Sequence, residues 1–248
     1  MLEMQNFDKI IVANWKLNGS LSFSKDYFNN ITFDNLSNNN QCVIICPPIP
    51  YIFSINEEKF YKGAQDCSAY SEGAYTGEIS IDMLKELGCY FVIIGHSERR
   101  LIFHEDNDII KAKIKKALNT DIIPIFCIGE SLEQKKENLT NEVLKDQIIN
   151  SLPKNIDLDN IIIAYEPVWS IGTGIVPKTQ NLINQVATIK NMISKFWKLK
   201  NPKIIYGGSV NPNNIAELKK IRSINGFLVG GASQNSNNFI DIIKKTIN

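Results

Sequence analysis

The sequence predicts an α/β fold, a single closed (β/α)8 barrel taking in residues 1–248 as one domain. Eight short apolar runs rich in β-branched residues recur along the chain, each followed by a segment long enough for a helix. The runs are near-continuously apolar instead of alternating, which is the pattern of parallel strands covered on both faces. Strands and helices alternating in this way close most simply into a parallel barrel. A length of 248 residues exceeds an ordinary domain but is normal for such a barrel.

The strands are expected at Ile10–Ala13, Cys42–Cys46, Lys62–Gln65 (the weakest), Phe91–Ile94, Ile122–Cys127, Ile161–Tyr165, Lys203–Tyr206 and Phe227–Val229. Between the fourth and fifth, Ile109, Ile110, Ile114, Ala117 and Leu118 share a helical face. Lys111, Lys113, Lys115 and Lys116 lie largely opposite. That pattern reads as a helix with a solvated basic side, not as a polyanion site. Asn38–Asn40 and Asn235–Asn238 read as surface turns. No Pro/Gly/Ser-rich linker and no internal repeat divides the chain.

Hydrophobic residues make up 44% and charged residues 21% of the chain, enough for a large core with no disulfide or metal staple. Net charge is +1, from 27 basic and 26 acidic residues. Such a balance gives no global attraction to nucleic acid or to an anionic membrane, so neither is expected as a partner, and an anionic ligand must be caught locally. The five cysteines, Cys42, Cys46, Cys67, Cys89 and Cys127, lack CxxC spacing and histidine partners. Buried free thiols in a reducing compartment are expected, and no metal site. Glu3 and Asp8 with no apolar core between them argue against a signal peptide, and no apolar run approaches the ~18 residues of a membrane span. A cytoplasmic location is expected.

The unusual polar residues fall just after the expected strands. Asn14 and Lys16 follow the first, His96, Ser97 and Glu98 the fourth, and Glu166 the sixth. Gly207-Gly208-Ser209 follow the seventh and Gly230-Gly231 the eighth. In a (β/α)8 barrel these C-terminal strand ends meet on the face that carries active sites. Glycine turns after the last two strands suit an anion, because the backbone can approach closely and offer N–H groups without a net charge.

At these residues the chain resembles the triosephosphate isomerase family. The matching segments are Val12–Gly19, Gly73–Glu78, Ile94–Arg100, Cys127–Glu130, Ala164–Gly174, Tyr206–Val210 and Gly226–Ser233, in family order across essentially the whole chain. The resemblance implies a cofactor-independent isomerase of glycolysis and gluconeogenesis. It would interconvert dihydroxyacetone phosphate and D-glyceraldehyde 3-phosphate through an enediolate. It implies Glu166 as the base, His96 as a neutral imidazole polarising the carbonyl, and Lys16 stabilising oxyanion and phosphate charge. Asn14 would position that lysine and the substrate, with Ser97 and Glu98 behind the reacting groups. Cys127 would sit near them in a packing role. Gly172, Ser209, Gly230 and Gly231 would hold the phosphate.

The same resemblance implies a lid from Pro167 to Val176 with Trp169 in its hinge. It also implies a homodimer in which the Asp66–Ile79 loop reaches the second copy, Thr76 near the partner's Asn14 and Glu78 facing the partner's Arg99. His104 matches no catalytic position. Several residues depart from the usual pattern: Asp66 stands for Asn, Ser170 for Ala, and Ile175-Val176-Pro177 for the frequent hinge. Lys190 and Asn225 stand at positions of a usual Arg–Asp pair. A silent phosphate-binding barrel or another phosphosugar isomerase or epimerase is the alternative. Paired metal ligands and a mid-chain Schiff-base lysine are both missing from the pattern, and Lys16, His96 and Glu166 together argue against a silent barrel.

Overall fold

The computed structural model describes residues 2, 4–31, 40–55, 59–154, 160–197 and 201–247. Its strands are β1 (Lys9–Asn14), β2 (Gln41–Cys46), β3 (Tyr61–Ala64), β4 (Phe91–Ile94), β5 (Ile123–Ile128), β6 (Ile162–Tyr165), β7 (Lys203–Tyr206) and β8 (Gly226–Val229). Each pairs in parallel with the next, and β8 returns to β1 in the register Ile10 to Gly226 and Ala13 to Val229, which closes the barrel. Every expected strand is present within a residue or two of its expected bounds.

Strand residues divide by parity into two packed sets. Ile10, Val12, Ile44, Phe91, Ile93, Ile125, Ala164 and Ile205 pack with one another and with Met4 and Phe7. Ile11, Ala13, Ile45, Val92, Phe126, Ile163, Ile204 and Phe227 pack instead with helix residues such as Ile110, Leu144, Val186 and Phe239. The first set fills the barrel, and the second seats the helices. Continuous apolar runs are thus needed because both faces of the strands are largely covered, with only residues such as Val43 and Tyr61 partly exposed.

The helices are α1 (Leu21–Asn29), α2 (Ile81–Glu86), α3 (Ser97–Leu101), α4 (Asn107–Leu118), α5 (Leu132–Lys136), α6 (Thr140–Ser151), α7 (Thr179–Trp197), α8 (Ile215–Leu218) and α9 (Ser236–Thr246). Side chains start several of them: Ser20, Ser80, Asp106 and Asn235 each accept an N–H of the first turn, and Ser131 with Gln134 forms a reciprocal cap. Asn235–Asn238 is therefore a helix start and not a plain turn, because asparagine is a strong cap. Of the Asn38–Asn40 turn, only Asn40 lies within the described residues, and Glu3 lies outside them.

Between β2 and β3 the described chain forms a 3-10 segment, Ile49–Ser54, in place of an α-helix. Pro47, Pro48 and Pro50 explain this, since each lacks the N–H that a helix interior needs. All five cysteines are free and buried, and burial pushes their thiols up, Cys67 to about 12 and Cys89 to about 11.

One expectation on α4 is corrected. Ile110, Lys113, Ile114 and Ala117 form its buried face, whereas Ile109 is exposed. Lys113 is not part of a solvated basic side. Its Nζ donates to Asp66 Oδ1 at 2.7 Å and to Glu105 Oε1 at 2.6 Å, and Arg99 adds contacts to the same two carboxylates at 3.2 and 2.6 Å. Periodicity assigned the lysine to water because one acidic partner, Asp66, lies 47 residues away and the other, Glu105, lies before the helix begins. Asp66, the departure from the family's asparagine, supplies a charge that this cluster uses.

Removing Lys113 strands two carboxylates with only Arg99 between them. Lys113→Ala is expected to lower unfolding free energy by about 3–5 kcal/mol, as for other buried pairs broken on one side. Lys111→Ala, on the exposed side of the same helix, should change it by less than about 0.5 kcal/mol. Urea unfolding midpoints of the two variants check this, and equal effects would contradict the buried assignment.

Candidate active site

The C-terminal ends of β1, β4, β6, β7 and β8 open onto one cleft of about 350 Å³. It is lined by Asn14, Lys16, His96, Glu166, Gly172, Ser209, Gly230 and Gly231, together with Leu228 and Gln234. Every residue expected to react with or bind the substrate therefore lines a single cavity. Ser97, Glu98 and Cys127 stand behind it. His104 lies elsewhere, exposed in a left-handed turn with φ +57°.

Glu166 follows β6 with its N–H donating to the Ile128 carbonyl at 2.7 Å. The neighbouring strand ends crowd it, and two glycines make that possible. A Cβ at Gly129 would stand 1.7 Å from the Glu166 carbonyl oxygen, and one at Gly207 would stand 2.8 Å from Glu166 Cγ. The carboxyl is 2% exposed. Its Oε1 lies 3.4 Å from His96 Nε2, and its Oε2 accepts the Ser97 N–H at 3.4 Å. Desolvation pushes the Glu166 carboxyl above the usual carboxylate range, against the opposing pull of His96, the Ser97 N–H and Lys16. Cys127 packs directly beneath it, and burial first, with Glu166 adding to it, holds this thiol well above its ordinary range. A protonated, enclosed thiol is a packing group, not a nucleophile.

His96 caps the N-terminus of α3. Its Nδ1 accepts the Glu98 N–H at 3.2 Å. A ring nitrogen that accepts carries no proton, so a neutral imidazole has its proton on Nε2, the atom facing Glu166 and the cleft. Lys16 holds a left-handed backbone, φ +54°, which costs a non-glycine residue about 1–3 kcal/mol. Surrounding bonds maintain it. Lys16 N–H donates to Asn14 Oδ1 at 3.0 Å, Gln65 Nε2 donates to the Lys16 carbonyl at 2.8 Å, and Lys16 Nζ bonds Glu98 Oε1 at 2.6 Å.

The sequence reading assigned no role to three residues that build this site. Gln65, at the end of β3, ties Lys16 and Cys46 together through their carbonyls. Gln234 lines the cleft. Glu130, buried, accepts from the Trp169 indole at 2.8 Å and the Tyr165 hydroxyl at 3.1 Å, fixing the start of the Pro167–Val176 segment. A carboxylate close behind an apolar strand was the available signal for Glu130, two residues past β5, whereas Gln65 fell within the expected third strand. The segment expected as a lid begins with a 3-10 turn, Val168–Ser170, and Gly172 follows at φ +69°. Pro177 precedes α7 by two residues and is therefore not its first helical position.

A raised carboxyl pKa carries a cost to the fold once the group ionises. A carboxyl whose folded value exceeds its unfolded value favours folding while protonated, and this contribution is lost as pH rises through the folded value. Glu166→Gln removes a buried charge at neutral pH and nothing charged at low pH. The variant is expected to gain stability over wild type at pH 8 and to match it near pH 4. Chemical unfolding at both values checks this, and an unchanged difference across the range would contradict it.

The family model described as triosephosphate isomerase matches residues 9–246. The triosephosphate isomerase of Vesicomyosocius okutanii subsp. Calyptogena okutanii is 40% identical over 247 residues, covering 95% of this chain and 98% of its own. That of Aquifex aeolicus is 39% identical over 246 residues, with the same coverage. That of Chlamydia trachomatis serovar D is 38% identical over 256 residues, covering 99% of this chain and 92% of its own. Likeness at this level from β1 to α9 leaves one assignment: the chain belongs to the triosephosphate isomerase family.

Proposed function

We propose that this protein interconverts dihydroxyacetone phosphate and D-glyceraldehyde 3-phosphate through an enediolate, without a cofactor, as a step of glycolysis and gluconeogenesis. The observation that carries the reading is the desolvated Glu166 carboxyl 3.4 Å from His96 Nε2, in one cleft with Lys16. A base must remove a proton from the carbon beside a carbonyl, and desolvation strengthens a carboxylate for that task. The Nε2–H of a neutral His96 can donate to the carbonyl oxygen as it gains charge. Lys16 is the one Lys or Arg among the described lining residues, and it offsets charge on that oxygen and on the phosphate.

Phosphate binding falls to backbone N–H groups of Gly172, Ser209, Gly230 and Gly231. At Gly231 a Cβ would meet nothing within 4 Å, so packing within the chain does not demand glycine there. A ligand approaching the backbone does. Asn14 positions Lys16, and Ser97 and Glu98 hold Glu166, His96 and Lys16 from behind. No described helix is long and apolar enough to cross a membrane, and a cytoplasmic location suits the pathway.

The experiment is a coupled assay with glyceraldehyde 3-phosphate. Glu166→Gln should lower kcat by about 10²–10⁴ with little change in affinity for a phosphate ligand. In wild type the ionised carboxylate is the working form, so the rate must fall as pH drops through its raised value. The acid limb of kcat/KM is therefore expected above the ordinary carboxylate range. Near-wild-type kcat in the variant would refute the assignment of the base.

The working form is read as a homodimer. The Asp66–Ile79 loop closes on itself through the Ser68 N–H and Ile79 carbonyl, and Tyr70 stacks on Tyr75 at 3.9 Å. Thr76 and Glu78 remain exposed at its tip, and Leu17, beside Lys16, is 95% exposed. A loop carrying exposed aromatic rings, together with an exposed leucine elsewhere on the chain, suits a second copy of this chain. Arg99 already serves Glu105 and Asp66 within its own chain, so its contact with the partner's Glu78 would be an addition to that cluster. Sedimentation is expected to show a dimer at micromolar concentration, and Thr76→Arg should dissociate it and depress activity. A fully active wild-type monomer would overturn the dimer reading.

A further inference from the structure

Ser170, the last residue of the lid's opening 3-10 turn, is fully buried. Its Oγ meets three polar partners: the Ile175 carbonyl, the Tyr206 hydroxyl at 2.9 Å and the Ser209 N–H at 3.3 Å. A hydroxyl has one proton to donate and two lone pairs. The Ile175 carbonyl can only accept and the Ser209 N–H can only donate, so the pattern is fixed. Ser170 donates to Ile175, accepts from Ser209, and takes the Tyr206 proton with its second lone pair. Glycine at 208 admits this cluster, since a Cβ there would stand 2.2 Å from Tyr206 Oη and 2.7 Å from Ser170 Oγ. One side chain thus links the two ends of the lid to the end of β7 and to the turn that lines the cleft.

We propose that Ser170 Oγ competes with the substrate phosphate for the Ser209 N–H, making Ser170 a positioning residue that sets how tightly phosphate is held. The proposal rests on the reading of Ser209 as a phosphate ligand. A phosphate oxygen is anionic and takes a stronger bond than a hydroxyl does, while 3.3 Å is long for the internal bond. Exchange therefore runs toward the ligand, but each binding event forfeits the internal bond. When the N–H leaves, Ser170 keeps Ile175 and Tyr206, so the lid stays tethered with one contact fewer. Holding phosphate less tightly in this way weakens ground state and transition state alike, which raises KM and favours release of product without touching the chemical step. An alanine at this position has no such lone pair and leaves the N–H with the Tyr206 hydroxyl alone beside it.

Titration calorimetry with inorganic phosphate, together with its inhibition constant against glyceraldehyde 3-phosphate, tests this on wild type, Ser170→Ala, Ser170→Cys and Tyr206→Phe. Ser170→Ala is expected to bind phosphate about two- to tenfold tighter, the worth of one ordinary hydrogen bond, with KM lowered more than kcat. Ser170→Cys, a poorer acceptor of similar volume, should move the same way by less. Tyr206→Phe keeps the Ser209–Ser170 bond but removes the hydroxyl that also faces the Ser209 N–H, so any gain in phosphate binding should be smaller than in Ser170→Ala, although it too loses a buried hydrogen bond and melts lower. Unchanged or weaker phosphate binding in both Ser170 variants would overturn the proposal. So would an equal gain in Tyr206→Phe, which would mark general loosening of the lid. Wild type that fails to bind phosphate in competition with the triose phosphate would overturn the phosphate reading itself, and the competition with it.

Discussion

The Glu166 carboxyl is driven out of water by backbone, not by bulky side chains. The carbonyl of Glu166 lies so close to Gly129, and its Cγ so close to Gly207, that no Cβ fits at either place. Strands β5, β6 and β7 can therefore converge tightly enough to enclose a charged group, which in water would be a weak base. Much of the cleft answers to that enclosure. The Ser97 N–H and His96 satisfy the two oxygens, Cys127 seals the floor, and Lys16 offsets the charge from across the cavity. A buried carboxylate costs stability wherever it is ionised, so the rest of the barrel must be stable enough to carry it.

Strain at Lys16 follows the same logic. A left-handed lysine persists only where its surroundings leave no alternative, and here Asn14, Gln65 and Glu98 each fix a different part of it. Two of these lie on other strand ends, so the geometry of the ammonium depends on closure of the barrel and not on the local chain. Glu98 joins the two halves of the site, since its N–H faces His96 Nδ1 while its carboxylate holds Lys16.

The fold was legible because burial on both faces leaves a mark that a single strand cannot hide, as in Ile10–Ala13 or Phe91–Ile94. The site was legible because chemistry-bearing residues such as His96 and Glu166 stand directly after such runs. What escaped was whatever depends on a partner distant in sequence. Lys113 looked like a solvated charge because helical periodicity carries no record of Asp66. Gln65 read only as the last residue of the weakest strand, and nothing local marks it as the brace of Lys16. Ser170 stood out only as a departure in the lid, and its role rests on Tyr206 and Ser209, which lie 36 and 39 residues further on.

A net charge of +1 gives no long-range field to draw a phosphate in, and Lys16 is the single Lys or Arg among the described residues lining the cleft. In the proposed function recognition rests, beside Lys16, on neutral backbone N–H groups, whose value lies in where they point. Loops that present such groups have to be held still, and the cheapest holders are other polar groups of the protein. Each donor so held is a donor partly used. At Ser209 the proposed conflict comes down to one bond, where the contact that steadies the turn occupies the N–H assigned above to the phosphate. Arg or Lys at that turn would avoid the conflict by adding charge, but would place an ammonium or guanidinium near Glu166 and draw down the basicity that its burial creates. Weak, neutral and internally contested donors are the arrangement compatible with a strong buried base.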